Sequence, residues 1–446
     1  MKSKFIAMAA AAVASVSAAN AADLGHPVAA AVDYVKVCNA YGAGFFYIPG
    51  GDTCLKISGR VYFDERVGGG KISRESTTNS PYSTNQARTG NLNFTRTAVY
   101  VNFDARTNTD YGLLRSYIDL RVRTSTGSPD AATASVGANG PLNELDMDFG
   151  YVQWGGLTAG KARSFFDFAP SGGYTYALDY VVYQTNTLAN EIGYTFTLGN
   201  GLTATIGLLD STSADSVYNN LLRNEVTNKT TTGYGGNHTP DVVANLNITQ
   251  AWGSAQIGAA LHEDYSILNG AKEGYALNAG TEILLPTLGK GDKIALMAGY
   301  SNGAIGYLTA GAQGTATIGK AFRPGNFIGD DYAIDANGSL KLTNAWGGDV
   351  SFKHVFNANF EFNIDAAYLG IDGYGARDFS FYGIASNVVW YPTGKPELSL
   401  GLDASYGSLN YTGGTKASYT AGTNPLYGSI QNVNGWELGL RVNRTF

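Results

Sequence analysis

From Leu55 to Phe446 the chain runs through sixteen stretches in which apolar and polar residues alternate with period two, the spacing of a strand whose faces meet two media. They cover 55–67, 91–104, 111–123, 145–154, 157–163, 190–198, 202–209, 241–249, 254–262, 274–285, 291–300, 347–355, 359–371, 378–391, 396–406 and 435–446. Short connections at 105–110, Gly155-Gly156, Gly199-Asn200-Gly201, 250–253, 286–290, 356–358 and Pro392–Lys395 are hairpin turns. Long ones at 68–90, 124–144, 164–189, 210–240, 263–273, 301–346 and 407–434 lie between them, and only the brief 372–377 breaks the rhythm. Two-faced strands with turns at one rim and loops at the other read as a 16-stranded antiparallel transmembrane β-barrel spanning 55–446.

The faces are explicit. Segment 55–67 sets Leu55, Ile57, Gly59, Val61 and Phe63 on one side, and Lys56, Ser58, Arg60, Tyr62, Asp64 and Arg66 on the other. Segment 111–123 sets Leu114, Ile118, Leu120 and Val122 against Arg115, Tyr117, Asp119, Arg121 and Arg123. Segments 359–371 and 396–406 repeat the pattern, the first with Phe360, Phe362, Ile364 and Tyr368 opposed to Glu361, Asn363 and Asp365. A β-sandwich would bury such an apolar face as core and leave the charged face in water. An open sheet of this many strands would curl or split, whereas a closed barrel has no edges.

Composition narrows this further. Lys2 and Lys4, the apolar run Phe5–Val16 and the triplet Ala19-Asn20-Ala21 form a secretory signal over 1–21, followed by an N-terminal extension over 22–54 expected on the periplasmic side. Without Lys2 and Lys4, 28 basic residues remain against 36 acidic ones, so the net charge moves from −6 to −8. An acidic chain is a poor partner for nucleic acid. Beyond the signal no stretch approaches the roughly 20 apolar residues of a spanning helix, so a membrane form has to be a barrel. The mean hydropathy of −0.11 suits a wall that is apolar on one face only. Glycine at 58 and tyrosine at 29 residues suit tight turns and aromatic girdles, although a soluble secreted β-protein shares such a composition. Cys38 and Cys54, the only cysteines, both lie in the exported part, where an oxidising compartment lets them pair. The short loop so closed would contribute on the order of 3 kcal/mol.

The run Asp33–Ser58 (DYVKVCNAYGAGFFYIPGGDTCLKIS) closely resembles the start of the alphaproteobacterial porin family, as do Asn102–Leu120 (NFDARTNTDYGLLRSYIDL) and Gly155–Phe168 (GGLTAGKARSFFDF). The last strand carries Trp436, Leu438, Leu440 and Val442 on one face and ends in Phe446, which resembles the recognition signal of outer-membrane barrel assembly. Arg444 stands where that pattern usually has an aromatic residue. The resemblance implies a homotrimeric, multi-pass outer-membrane barrel that meets lipid and the barrel assembly machinery. It would act as a general diffusion porin for small hydrophilic solutes and ions, with no cofactor and no catalysis. It also implies that the third long connection, 164–189, folds inward as the constriction. Thirteen of the 30 basic residues lie between Lys56 and Arg163. Arg60, Arg96, Arg115, Arg121, Lys161 and Arg163 are expected in the lumen, opposed by Asp167 and Asp179 of that loop.

Competing classes are a solute-specific outer-membrane channel, which substrate competition would reveal, and a secreted adhesive β-protein, which would carry no current. Gly155–Ala162 (GGLTAGKA) falls one residue short of the phosphate-binding loop, because Ala162 stands where Ser or Thr would ligate Mg²⁺. The histidines His26, His238, His262 and His354 show no metal-ligand spacing and accompany no Gly-x-Ser-x-Gly elbow. An outer-membrane hydrolase would need a Ser/His pair near a rim, for which His262 or His354 are the candidates.

Overall fold

The computed structural model describes residues 36–74, 93–126, 141–168, 173–176, 187–211, 223–224, 229–230, 238–266, 270–309, 331–334, 339–373, 378–411 and 430–446. The signal over 1–21, most of the extension and His26 lie outside the described residues. Sixteen strands build the wall: β1 (Cys54–Arg74), β2 (Asn93–Thr109), β3 (Gly112–Thr126), β4 (Pro141–Trp154), β5 (Leu157–Arg163), β6 (Leu188–Gly199), β7 (Leu202–Leu209) and β8 (Asp241–Gln250). They continue as β9 (Gly253–Ser266), β10 (Gly270–Leu284), β11 (Lys293–Asn302), β12 (Asn344–Asn357), β13 (Phe360–Asp372), β14 (Phe379–Trp390), β15 (Leu398–Tyr411) and β16 (Ile430–Thr445). Each overlaps one of the sixteen alternating stretches.

Every strand pairs antiparallel with its neighbours in the chain, and β16 returns to β1 in register from Arg60↔Thr445 to Arg74↔Ile430, so the sheet closes. The wall is therefore a 16-stranded antiparallel barrel. At one rim the strands turn at Asp110-Tyr111, Gly155-Gly156, Ala251-Trp252 and Ala358-Asn359. The turn between β6 and β7 needs positive φ at Gly199 (94°), Asn200 (52°) and Gly201 (77°), which two glycines and an asparagine supply with little strain. The other rim carries the long connections. There the ladder outlasts the alternation: β1 runs on to Arg74 although the apolar pattern ends at Val67. Once both faces of a strand meet water, the pattern has no reason to persist.

The alternating faces settle which side is out. Val61, Phe63, Val67, Leu438, Leu440, Ile192, Leu208 and Val388 are exposed, while Asp64, Arg66, Glu437, Glu191 and Asn387 between them are buried inside. The apolar faces therefore pack against no second sheet. An apolar exterior this extensive needs lipid around it. Exposed aromatics ring it at two levels. Trp154, Tyr194, Phe360 and Trp390 stand near the short-turn rim, and Tyr300, Trp346, Tyr382, Tyr406 and Trp436 near the other, with Tyr300 directly opposite Trp346 and Tyr406 opposite Trp436.

At the short-turn rim residues 36–53 fold back onto β1. Cys38 and Cys54 form a disulfide, Phe46 pairs with Leu55, and Phe45 packs among Tyr41, Tyr47 and the bridge. The Arg106 guanidinium lies 5.0 Å from the Phe45 ring centroid, so the segment also covers part of the inner wall. Thiol labelling of denatured, unreduced protein should modify neither cysteine, and labelling after reduction should modify both. Modification without reduction would remove the bridge from the fold.

Candidate functional site

The inner faces of β16, β1, β2 and β3 form one continuous basic wall, because residues opposite each other in an antiparallel ladder point to the same side. Arg60 stands opposite Tyr100, Tyr100 opposite Arg121, Asp64 opposite Arg96 and Arg106 opposite Arg115. Asp104 accepts two bonds from Arg106 (2.9 and 2.7 Å) and two from Arg115 (2.9 and 3.0 Å). Arg121 bridges Asp146 (2.8 Å) and Asp148 (2.9 Å), and Arg441 grips both oxygens of Asp64 (2.6 and 2.7 Å). Arg60 has no ion pair among the described residues. It is exposed, with its guanidinium 4.1 Å from the Tyr100 ring centroid and 5.7 Å from that of Tyr62. This is an exposed cation held against aromatic rings.

Arg66 differs because it is fully buried. It donates to Asp403 Oδ2 (2.9 Å), Glu437 Oε1 (2.8 Å) and the backbone carbonyl of Tyr176 (2.6 Å) in the connection between β5 and β6. Other described parts of that connection bond to inward-facing side chains of the far wall. Asn245 donates to the Phe165 carbonyl (2.6 Å), Asn278 to Phe166 (2.7 Å) and Gln256 to Asp167 (3.0 Å). On β13, Asp365 accepts the backbone N–H groups of Tyr174 (3.1 Å) and Thr175 (2.9 Å). Gly173 precedes them with φ +79°, and a Cβ there would strike the Asp365 carboxylate. Tyr174 donates its hydroxyl to Glu282 (2.6 Å), and burial together with that carboxylate holds the phenol's pKa well above its ordinary value. Rings of the connection sit over inner-wall glycines that leave room for them: Phe165 over Gly193 and Gly207, Phe168 over Gly280 and Tyr176 over Gly401.

The expected lumen residues separate into groups. Arg60, Arg96, Arg115 and Arg121 share the inner wall of β1–β3. Lys161 and Arg163 do not: Lys161 stands opposite Gly150 and Asn190, and Arg163 opposite Leu188, on the face that carries exposed Val152, Trp154, Ile192 and Tyr194. That register gives Lys161 outward parity, whereas the Arg163 guanidinium, at the strand end, has a buried nitrogen and acts on the buried carboxylate of Asp167. Spacing by two fixes a shared face without saying which, and the odd parity of Leu157 and Ala159 in the same strand carries the answer. Asp167 is buried at the root of the connection, where it accepts the Thr187 N–H, so it does not face the basic wall as a solvated acid. Burial raises its carboxyl to about 7 against the lowering effect of that bond and of Arg163. Asp179 lies outside the described residues. The acids that do stand inside the far wall are Glu282, Asp349, Glu361 and Asp365, which sequence reading left without a role. Arg66, Arg106, Arg123 and Arg441 were equally unassigned, although their parity already placed Arg66 and Arg123 on polar faces. The near phosphate-loop Gly155–Ala162 is the β4–β5 hairpin and opens no helix.

A closed barrel with an apolar exterior, two aromatic rings and a charged interior is an outer-membrane β-barrel with a polar lumen. A family model described as "Porin subfamily" matches residues 26–443, and the chain belongs to that family. Porin Omp2b of Brucella canis and of Brucella abortus are each 34% identical to it over 259 residues, which is 57% of this chain and 64% of theirs. The chain thus aligns with somewhat under two thirds of the length of these relatives. Among solved structures, the outer-membrane channel DcaP of Acinetobacter baumannii matches in fold at a TM-score of 0.60 and 14% identity, over 90% of this chain and 99% of that one.

Replacing Arg66 by Ala leaves Asp403 and Glu437 buried without their cation and frees the Tyr176 carbonyl. The barrel should lose about 3–5 kcal/mol, read from urea unfolding. Arg60→Ala, at a solvated site, should leave the midpoint nearly unchanged.

Proposed function

We propose that the protein is a general diffusion porin passing small hydrophilic solutes and ions down their gradients, with no cofactor and no chemical step. The observation that carries this reading is the unbroken inner wall of solvated and paired charge in a closed barrel, with the 164–189 connection tethered to both sides of the lumen. That connection acts as the constriction, and Arg60, Arg96, Arg115 and Arg121 act on passing ions. In the narrow section the opposing charge comes from the far-wall acids Asp349, Glu361 and Asp365 rather than from Asp167. The short-turn rim and residues 22–54 face the periplasm, and the long connections face outward. Conductance of the purified chain in a planar bilayer under a salt gradient tests the whole reading; a folded barrel without current would overturn it.

The chain assembles as a homotrimer. Membership of the porin family supports this. A solute-selective channel is the second reading, favoured by the stacking of Arg60 on Tyr100 beside Tyr62. Saturable block of ion current by an aromatic carboxylate would decide for it.

Arg60→Glu should shift the reversal potential towards cations, because an inverted charge beside low-dielectric walls acts on ions that have lost part of their hydration. Arg163→Glu, which sets a second carboxylate beside the buried Asp167, should lower the urea midpoint and shift the reversal potential less than Arg60→Glu does. The opposite pair of results would exchange their assignments.

Phe446, whose backbone pairs with Gly59 in both directions (3.0 Å each) while its ring points outward, serves as the assembly signal. Phe446→Ala should lower barrel yield in the outer membrane and leave single-channel conductance as it was. Normal yield with altered conductance would contradict this role.

A further inference from the structure

On the inner face of β9, near the long-loop rim, His262 and Asp264 stand two residues apart on one side of the strand. Asp331, from the connection between β11 and β12, comes to the same point. Each offers one ligand atom, and the three atoms lie within 4.8 Å of one another. All three residues are at most 2% exposed. His262 Nδ1 lies 2.9 and 3.0 Å from the two oxygens of Asp241, which also accepts the Tyr307 hydroxyl at 2.5 Å. A carboxylate on Nδ1 holds the proton there and leaves Nε2 as a lone-pair donor. That Nε2 is buried without a hydrogen-bond partner, 4.0 Å from Asp264 Oδ1, and Asp264 Oδ2 is buried without one as well. Two unpartnered donor atoms, each on a side chain more than nine-tenths buried, therefore converge on one spot.

We infer that His262, Asp264 and Asp331 bind a divalent transition-metal ion of the zinc type. One imidazole and two carboxylates form a nitrogen and oxygen set suited to Zn²⁺, with water completing four ligands, whereas Ca²⁺ prefers six to eight oxygens. The Asp241–His262 contact is the outer-shell carboxylate that orients a metal-bound histidine. Asp331 Oδ1 also accepts the Ile305 N–H (2.7 Å), and Ile305, Tyr307 and Leu308 are buried inside the barrel. The ion would pin the β11–β12 connection to β9 across the mouth of the lumen.

Isothermal titration of the full-length barrel with ZnCl₂ after EDTA dialysis should show one high-affinity site per chain that excess CaCl₂ leaves undiminished. Asp264→Asn and His262→Ala, checked for fold by circular dichroism, should abolish that site. Asp241→Asn, a positioning change, should weaken it about 10–100-fold. Because a variant can fail to fold, the unaltered protein supplies a second readout: Co²⁺ should give a visible ligand-field spectrum that saturates at one equivalent and disappears with EDTA. Absence of stoichiometric Zn²⁺ binding and of the Co²⁺ spectrum, or binding undiminished in Asp264→Asn, would overturn the site.

Discussion

Closure of the ladder between β1 and β16 is the constraint on which everything else rests. A backbone in hydrocarbon has no water to pair with, and an open edge of unpaired N–H and C=O groups would cost several kcal/mol at each of them. Once Arg60–Arg74 is in register with Ile430–Thr445, every strand has two neighbours and every side chain has only two destinations. Parity then decides the rest. Val61, Phe63 and Val67 go to lipid while Tyr62, Asp64 and Arg66 go to the lumen, and a slip by one residue would exchange the two sets.

Burying charge in that interior is expensive, and its use here is positional. The Arg66, Asp403 and Glu437 group sits in full burial, where desolvation offsets most of the attraction, so it contributes little net stability for its size. Its geometry nevertheless ties β1, β15 and β16 to the Tyr176 carbonyl. Asp365 does the same from the far wall through Tyr174 and Thr175. The described residues of that connection are thus located by the wall around them. The inner glycines 193, 207, 280 and 401 leave the space its rings occupy. The basic side of the lumen has the opposite design, with Arg60 left solvated against tyrosine rings where it remains available to ions.

The wall was readable in the sequence because lipid imposes a period-two pattern, and all sixteen stretches became strands. Their far ends were not readable, since β1 continues through Gly68–Arg74 above the apolar band, where nothing selects one face. Lumen residues were legible where a long strand repeats its code, as for Arg60 in β1 and Arg115 and Arg121 in β3. Pairing was not, because Arg66 meets partners more than three hundred residues away and local spacing carries no trace of them. The His262, Asp264 and Asp331 cluster escaped for the same reason. Its two-residue spacing looks like any polar strand face until Asp331 arrives from the connection after β11.

Strand β5 shows how little sequence separates the two destinations. Leu157, Ala159, Lys161 and Arg163 share one face, and only the first two advertise lipid. Reading the basic pair alone places it in the lumen; reading the whole strand gives it outward register, opposite Asn190 and Leu188 of β6. At the end of the strand the Arg163 guanidinium is met from within the chain, by the buried carboxylate of Asp167. The same residue types at the same spacing thus take inward register on β1–β3 and outward register on β5. The parity of the neighbouring apolar residues, more than the charge itself, tells the two apart.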